Sequence, residues 1–375
     1  MQRRSQKTQI YPNKKQIVAL KRTVGVTRFA YNWGLERWRQ LYDKGLKHSA
    51  YELSKLWTEE RPEWSKEVST CAPRHALVDV QSAYDALFRK KRYRRVPRYR
   101  KKGKNDSFYL TNEMAPVAEN RIRLGKIGWV RMAEPLRYND AHILSCVVSC
   151  KADKWFVCIN CEVADTKRSK STDVVGVDVG IKHWAATSDG LTIDSPESLR
   201  KLYKQLASKQ RKADRKLKGS ENKKKAYLKV SKLYRRIDNI KKDAIHKFTA
   251  TVAKNHGTVV LEDLSVHSMY KGAARKKALS KGINNSCMRE IQRQLMYKCN
   301  NYIKVDRFFP SSKTCSHCGS IKADLSLSDR TYHCRVCGLT IDRDLNAATN
   351  LLKEGLRKLS TVGHTVKDCG ATPRD

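Results

Sequence analysis

Acidic side chains are scarce in this sequence: 37 Asp and Glu stand against 78 Lys and Arg over 375 residues, a formal charge of +41. A compact protein with that excess repels itself, so a polyanion is the expected neutralising partner. Long apolar runs are missing as well. No stretch approaches the roughly 20 apolar residues that a bilayer-crossing helix needs. The opening residues, Met1-Gln2-Arg3-Arg4-Ser5-Gln6-Lys7, lack the character of a secretory signal. A membrane partner is therefore not expected, and nucleic acid is. Twelve cysteines are present, but the short, loop-rich build of a secreted disulfide framework is not. Free thiols in a reducing cytoplasm are the expected state.

A chain this long buries at least one full core and predicts two or three modules. Residues 1–10 are polar and basic and predict one edge strand. Tyr11-Pro12-Asn13 punctuates the chain before a helical stretch with an interrupted apolar face through Ile17, Leu20, Val24, Phe29, Tyr31, Trp33, Leu35, Trp38 and Leu41. Leu77, Val80, Tyr84 and Leu87 predict a second helix, from about Arg74 to Phe88, and a dense basic run from Arg89 to Lys102 follows it. From Ser107 to Val163 short alternating segments predict the strands of an antiparallel sheet or small barrel. Polar residues 165–171 read as a linker. Residues 172–194 predict a buried strand and two shorter ones around turns. The charged stretch 197–254 predicts long helices broken at Gly219-Ser220.

Two Cys-x-x-Cys pairs, Cys315-Ser-His-Cys318 and Cys334-Arg-Val-Cys337, lie fifteen residues apart, each followed directly by a glycine, Gly319 or Gly338. Four thiolates that converge tetrahedrally are what a structural Zn²⁺ demands. Four protein ligands leave no open coordination position, so this zinc is expected to be structural, and His317 and His333 are surplus. Cys146 and Cys150 stand four apart on a predicted strand, and Trp155 to Ile159 reads as a continuing strand rather than a knuckle, so Cys146, Cys150, Cys158 and Cys161 read as small core residues.

Two acids end apolar strands and a third stands where a helix begins. Val174-Val175-Gly176-Val177-Asp178 is a buried strand running into a carboxylate, which is costly to desolvate without a partner. After it, Asp189-Gly190 signals a hairpin, and a strand bearing an acid followed by a hairpin is the opening of an RNase H-like meander. Glu262 ends the apolar strand Thr258-Val259-Val260-Leu261, and Asp344 stands where a helix through Leu345, Ala348 and Leu352 begins. Taken singly, a helix cap for Asp344 or a strand-end salt bridge for Glu262 is sufficient. Together, three acids from separate elements can hold two Mg²⁺, one to activate water and one to stabilise the leaving 3′ oxygen.

These residues resemble the TnpB (OrfB) family of insertion-sequence RNA-guided nucleases, which is related to the type V CRISPR effectors. The resemblance is carried by Gly176-Val-Asp178-Val-Gly-Ile-Lys, Leu261-Glu262-Asp-Leu-Ser and Phe309-Pro-Ser-Ser-Lys-Thr-Cys315-Ser-His-Cys318-Gly. It continues through Cys334-Arg-Val-Cys337-Gly, Asp342-Arg-Asp344-Leu-Asn-Ala-Ala and the tail Val362 to Gly370. Arg28-Phe-Ala-Tyr-Asn32 extends it more weakly into the N-terminal half. The stretch from Lys298 to Phe309 looks several residues shorter than is usual in the family. The resemblance implies catalytic acids at Asp178, Glu262 and Asp344, with Asp344 preferred to Asp342 because it lies two residues before Asn346.

The implied architecture is an α/β RNase H-like (RuvC) nuclease core with an inserted zinc ribbon, preceded by a wedge-like β-barrel that carries a helical recognition insert. The barrel would take residues 1–10 and 107–170, and the insert 11–106. The nuclease would take 171–310, with the long basic helices 197–254 as a lid, and then 341–375, with the ribbon at 311–340. The implied activity is cleavage of double-stranded DNA guided by an element-derived RNA, next to a short motif, by a monomer carrying that RNA. For nucleic-acid contact the basic run supplies Arg89, Lys90, Lys91, Arg92, Tyr93, Arg94, Arg95, Arg98, Tyr99 and Arg100, where the tyrosines can stack on bases. A nuclease-inactive RNA-guided repressor is the alternative, but such relatives lose acids that are all present here. Strand transfer by a transposase fits less well, since the ribbon falls between the second and third acids and no tyrosine or DDE recombinase pattern is found.

Overall fold

A computed structural model describes residues 1–89, 96–138, 141–164, 171–272, 277–326 and 329–361. The chain divides into two compact units, Met1–Asp165 and Thr166–Asp375.

In the first unit, strand β1 (Gln2–Tyr11) leads to helix α1 (Lys14–Asp43), followed by α2 (Ala50–Glu60) and α3 (Cys71–Phe88). Asn13 starts α1 through a capping box. Its side chain accepts the Gln16 N–H at 2.9 Å, and the Gln16 side chain accepts the Asn13 N–H at 3.0 Å. Leu35, Trp38, Leu53, Trp57, Leu77 and Val80 form the core of the three helices. Strands β2 (Ser107–Thr111), β3 (Val117–Ala118), β4 (Arg121–Arg123), β5 (Trp129–Met132), β6 (His142–Lys151) and β7 (Lys154–Val163) join β1 in one antiparallel sheet, ordered β2-β6-β7-β1-β5-β4-β3. Cys146 and Cys161 are buried in its core, and burial pushes the Cys146 thiol up to about 12.

β1 is not the edge strand its composition predicts. It pairs with β7 from Gln2 to Ile10 and with β5 at Ile10 and Tyr11. The alternation is faint because two of its buried residues, Gln6 and Thr8, are polar. Gln6 is tolerated there because its Nε2 donates to the Pro135 carbonyl and its Oε1 accepts the Arg137 N–H, both at 2.8 Å.

The second unit opens with β8 (Val174–Asp178), β9 (His183–Thr187) and β10 (Thr192–Asp194), the last two turning at Gly190, φ +88°. Helices α4 (Ser198–Asp214) and α5 (Glu221–Asn255) follow, separated at Gly219 (φ +89°), and the Ser220 side chain caps α5. Next come β11 (Thr258–Glu262), α6 (Val266–Gly272), α7 (Lys277–Asn285), α8 (Met288–Lys298), β12 (Asn301–Val305), β13 (Thr331–His333), β14 (Thr340–Asp342) and α9 (Arg343–Thr361). The five-stranded sheet runs β10-β9-β8-β11-β12, with β8, β11 and β12 parallel. The short 298–309 stretch still holds a full strand, paired with β11 residue for residue.

Strand periodicity splits the two faces of this sheet. Val175, Val177, Val259 and Leu261 belong to the core built with α4, α5 and α8, while Val260 and Val305 pack with Leu351 of α9. On that second face α9 comes down to the sheet backbone. A Cβ at Gly176 would sit 2.1 Å from the Ala348 carbonyl oxygen and 2.7 Å from the Leu352 nitrogen. At Gly355 it would sit 2.4 Å from a Val260 methyl. Glycine is required at both positions by close approach.

Candidate metal centres

β8 and β11 are parallel neighbours, and the register Val260 with Gly176, Leu261 with Val177 carries the next positions to Glu262 and Asp178. Both acids therefore fall at the carboxyl ends of adjacent strands. By alternation they share the face of Gly176 and Val260, against which α9 lies. The third acid arrives on the first turn of α9. Its neighbour Asp342, the last residue of β14, spends its carboxylate on the helix start, accepting the N–H of Asp344 at 2.9 Å and of Leu345 at 3.2 Å. Asp344 is left uncommitted by the cap.

Asp178 feels the charges of the other two acids. Asp178 is pushed up to about 7, first by burial and then by the negative charges of Asp344 and Glu262, against a weaker pull from Arg343. Burial alone pushes Glu262 to about 7. Gln292 holds the strand end through a 3.0 Å bond to the Glu262 carbonyl, and Asp263 is neutralised by Lys304 and Arg307 at 3.4 and 3.2 Å. Neither Gln292 nor this ion-pair pattern carried a sequence signal. The donor set is all oxygen, with one arginine opposing three carboxylates, which fits hard divalent ions.

Among the described residues, only Cys315, Cys318, Cys334 and Cys337 bring three or more metal-ligating atoms within 4.8 Å of one another. The Cys315–Cys337 and Cys318–Cys334 sulfur pairs are each 3.6 Å apart. A tetrahedron with Zn–S bonds of about 2.3 Å has edges of about 3.8 Å, so the four thiols fit zinc. Gly319 and Gly338 turn the knuckles at φ +78° and +74°. Ser320, unmarked by spacing, lies with its hydroxyl 3.2 Å from Cys318 Sγ and 3.1 Å from Cys334 Sγ. That hydroxyl is the first cause holding Cys318 below the usual thiol range and Cys334 down at about 5. His333 is engaged elsewhere, 2.9 Å from the Thr340 hydroxyl.

Of the basic run, Lys90, Lys91, Arg92, Tyr93, Arg94 and Arg95 lie outside the described residues, as does the 362–375 tail. Arg89, Arg98 and Tyr99 are exposed. Arg100 is held within the protein. Its Nη2 donates to Asp79 at 2.7 Å, its guanidinium lies 3.7 Å from the Tyr31 ring centre, and Asn32 bonds both its N–H and its carbonyl.

The fold has a solved counterpart. Cas12f1, in a complex with its sgRNA and target DNA, superposes with a TM-score of 0.53 at 16% identity, covering 90% of this chain and 82% of that one. The chain thus has a Cas12-like fold with a four-cysteine site. A family profile described as "Probable transposase" (OrfB of IS605) matches residues 157–273, and a Cas12f1-like TNB domain profile matches 289–351. A "Helix-turn-helix domain" profile matches 1–47, which here fold as β1 and the single helix α1. A Streptomyces pristinaespiralis protein named "Putative RNA-guided DNA endonuclease" is 34% identical, over 94% of this chain and 90% of its own length. InsQ of Escherichia coli K12, which bears the same description, is 32% identical over 97% and 93%. The chain belongs to the TnpB (OrfB) family, related to the type V effectors.

Proposed function

We propose that this chain is an RNA-guided DNA endonuclease of a transposable element, cutting double-stranded DNA beside a short motif with Asp178, Glu262 and Asp344 as RuvC-type catalytic acids. One observation carries the reading: Asp178 and Glu262 end the parallel neighbours β8 and β11 on the face against which α9 lies, α9 begins with Asp344, and burial with the charges of Asp344 and Glu262 pushes Asp178 up to about 7. The RNA-guided part is supported by the names of the relatives, by the solved counterpart's bound RNA and DNA, and by the charge of +41. In this reading the seven-stranded sheet is the wedge-like barrel, α1 to α3 the recognition insert and the five-stranded sheet the RuvC core, in a monomer loaded with RNA.

Asp178, Glu262 and Asp344 would hold two Mg²⁺, the first two as carboxylates that have given up their protons. When bound, the ions lower the pKa of the attacking water and stabilise the leaving 3′ oxygen. The cysteines hold a closed zinc site that shapes the ribbon and does no chemistry itself. Arg89, Arg98, Tyr99 and the stretch Lys90 to Arg95 contact the RNA or heteroduplex, the cations at the backbone and the tyrosines on the bases, while Arg100 is held within the protein.

The test is to purify the protein with the RNA it carries, sequence that RNA and present matching duplex DNA with Mg²⁺. Cutting by the wild type and its loss in Asp178→Ala are expected. Cutting that persists in Asp178→Ala removes the site assignment. RNA-directed binding without any cutting would make the chain a repressor instead.

A further inference from the structure

The start of α9 is gripped from two sides. One face of the helix, through Ala348, Leu352 and Gly355, lies on β8 and β11. A second face carries Asn346, Asn350 and Lys353, spaced i, i+4, i+7, and every one of them bonds the main chain of the first zinc knuckle. Asn346 Nδ2 donates to the Thr314 carbonyl at 2.7 Å, and its Oδ1 accepts the Ser316 N–H at 2.9 Å. Asn350 Nδ2 donates to the Ser311 and Thr314 carbonyls at 2.8 and 2.7 Å. Lys353 Nζ bonds the Ser316 carbonyl. Thr314 and Ser316 flank the zinc-site residue Cys315. Both asparagines are buried, at 0% and 4% exposure, so without a folded knuckle their amides lose partners that water does not replace. On the second-knuckle side, Arg343 donates its N–H to the Arg330 carbonyl at 2.8 Å and its Nη1 to the Ser326 carbonyl at 3.0 Å. Asp344 lies between these anchors.

We infer that Asn346 and Asn350 are positioning residues that couple the folded zinc knuckle to the placement of Asp344, so that the carboxylates take a divalent ion well only when the knuckle is loaded. The inference rests on Asp344 as a metal ligand. By linkage the coupling is reciprocal: whatever loosens the clamp weakens both metals.

The test uses the full-length chain freed of nucleic acid, with Mn²⁺ as the probe followed by electron paramagnetic resonance and Asp178→Asn defining the carboxylate site. Asn350→Asp replaces the amide donor aimed at two carbonyls by an acceptor. It should weaken Mn²⁺ binding at least tenfold and speed zinc transfer to a chromogenic chelator at least tenfold. Lys353→Met, a milder change at an exposed residue, should shift both about threefold in the same direction and covers the case in which Asn350→Asp does not fold. Zinc stripped from the wild type should weaken Mn²⁺ as much as Asn350→Asp does, and stripping the variant should add nothing. Simple destabilisation would add. Mn²⁺ binding in folded variants within twofold of wild type, or additive effects, would overturn the inference. Should wild type and Asp178→Asn bind Mn²⁺ alike, the carboxylate reading fails, and the zinc-transfer rates decide the clamp: equal rates in variants and wild type defeat it.

Discussion

Two aspartates stand two positions apart at the entry to α9, and the backbone uses them differently. Asp342 caps the helix, and Asp344 contributes charge to Asp178. Asp344→Asn should therefore lower cleavage by at least ~10³-fold, as loss of a metal ligand. Asp342→Ala should cost about 1 kcal/mol of stability, as loss of a cap, and only a modest part of the rate. Single-turnover cutting and thermal melts separate the two. Both Asp178 and Glu262 titrate near 7, so the folded chain holds protons that the unfolded chain has lost. That contribution to stability is complete below about pH 4 and disappears as pH rises through about 7. In the metal-free protein Asp178→Asn should melt several degrees above wild type at pH 8 and close to it at pH 4. Mg²⁺ should raise the melting point of the wild type alone, and the Mg²⁺ needed for half-maximal cutting should fall as pH rises through 7.

At the scale of elements, the position of α9 depends on two glycines. Gly176→Ala drives a methyl into the backbone of α9, which cannot yield as a side chain does, so cutting should disappear along with much of the unit's stability. Gly355→Ala meets only a Val260 side chain and should cost about 1–3 kcal/mol, readable in urea melts. Strands ending in acids, knuckles and long amphipathic helices were legible because each imposes a spacing on the chain: β8, β11, α1, α5 and the cysteine pairs all fall where their patterns predict. β1 was misplaced because Gln6 and Thr8 conceal its burial, and α2, α6, α7 and α8 went unread because short helices hold too few turns for a clear period. Gln292, Asn346 and Asn350 act through hydrogen bonds to residues 30 to 39 positions away, and Ser320 through one 14 positions away, which no local pattern announces.

For the whole molecule the charge of +41 sets the solution behaviour. Nucleic-acid affinity should fall by ~10³-fold or more between about 50 and 200 mM salt, measured by fluorescence anisotropy, because each neutralised phosphate releases counterions. Among the described residues no helix is long and apolar enough to cross a membrane. The order of the sheet along the chain has a temporal side. β8 brings its carboxylate at residue 178 and β11 at residue 262, but the helix that packs on their shared face, α9, is the last described element. On the proposed reading, the chain growing on a ribosome therefore holds an unfinished catalytic centre until α9 is made. Products that terminate between residues 262 and 343 carry Asp178 and Glu262 with no α9 to close over them, so if these acids cut DNA as proposed, incomplete translation leaves an inert chain rather than an unguided cutter.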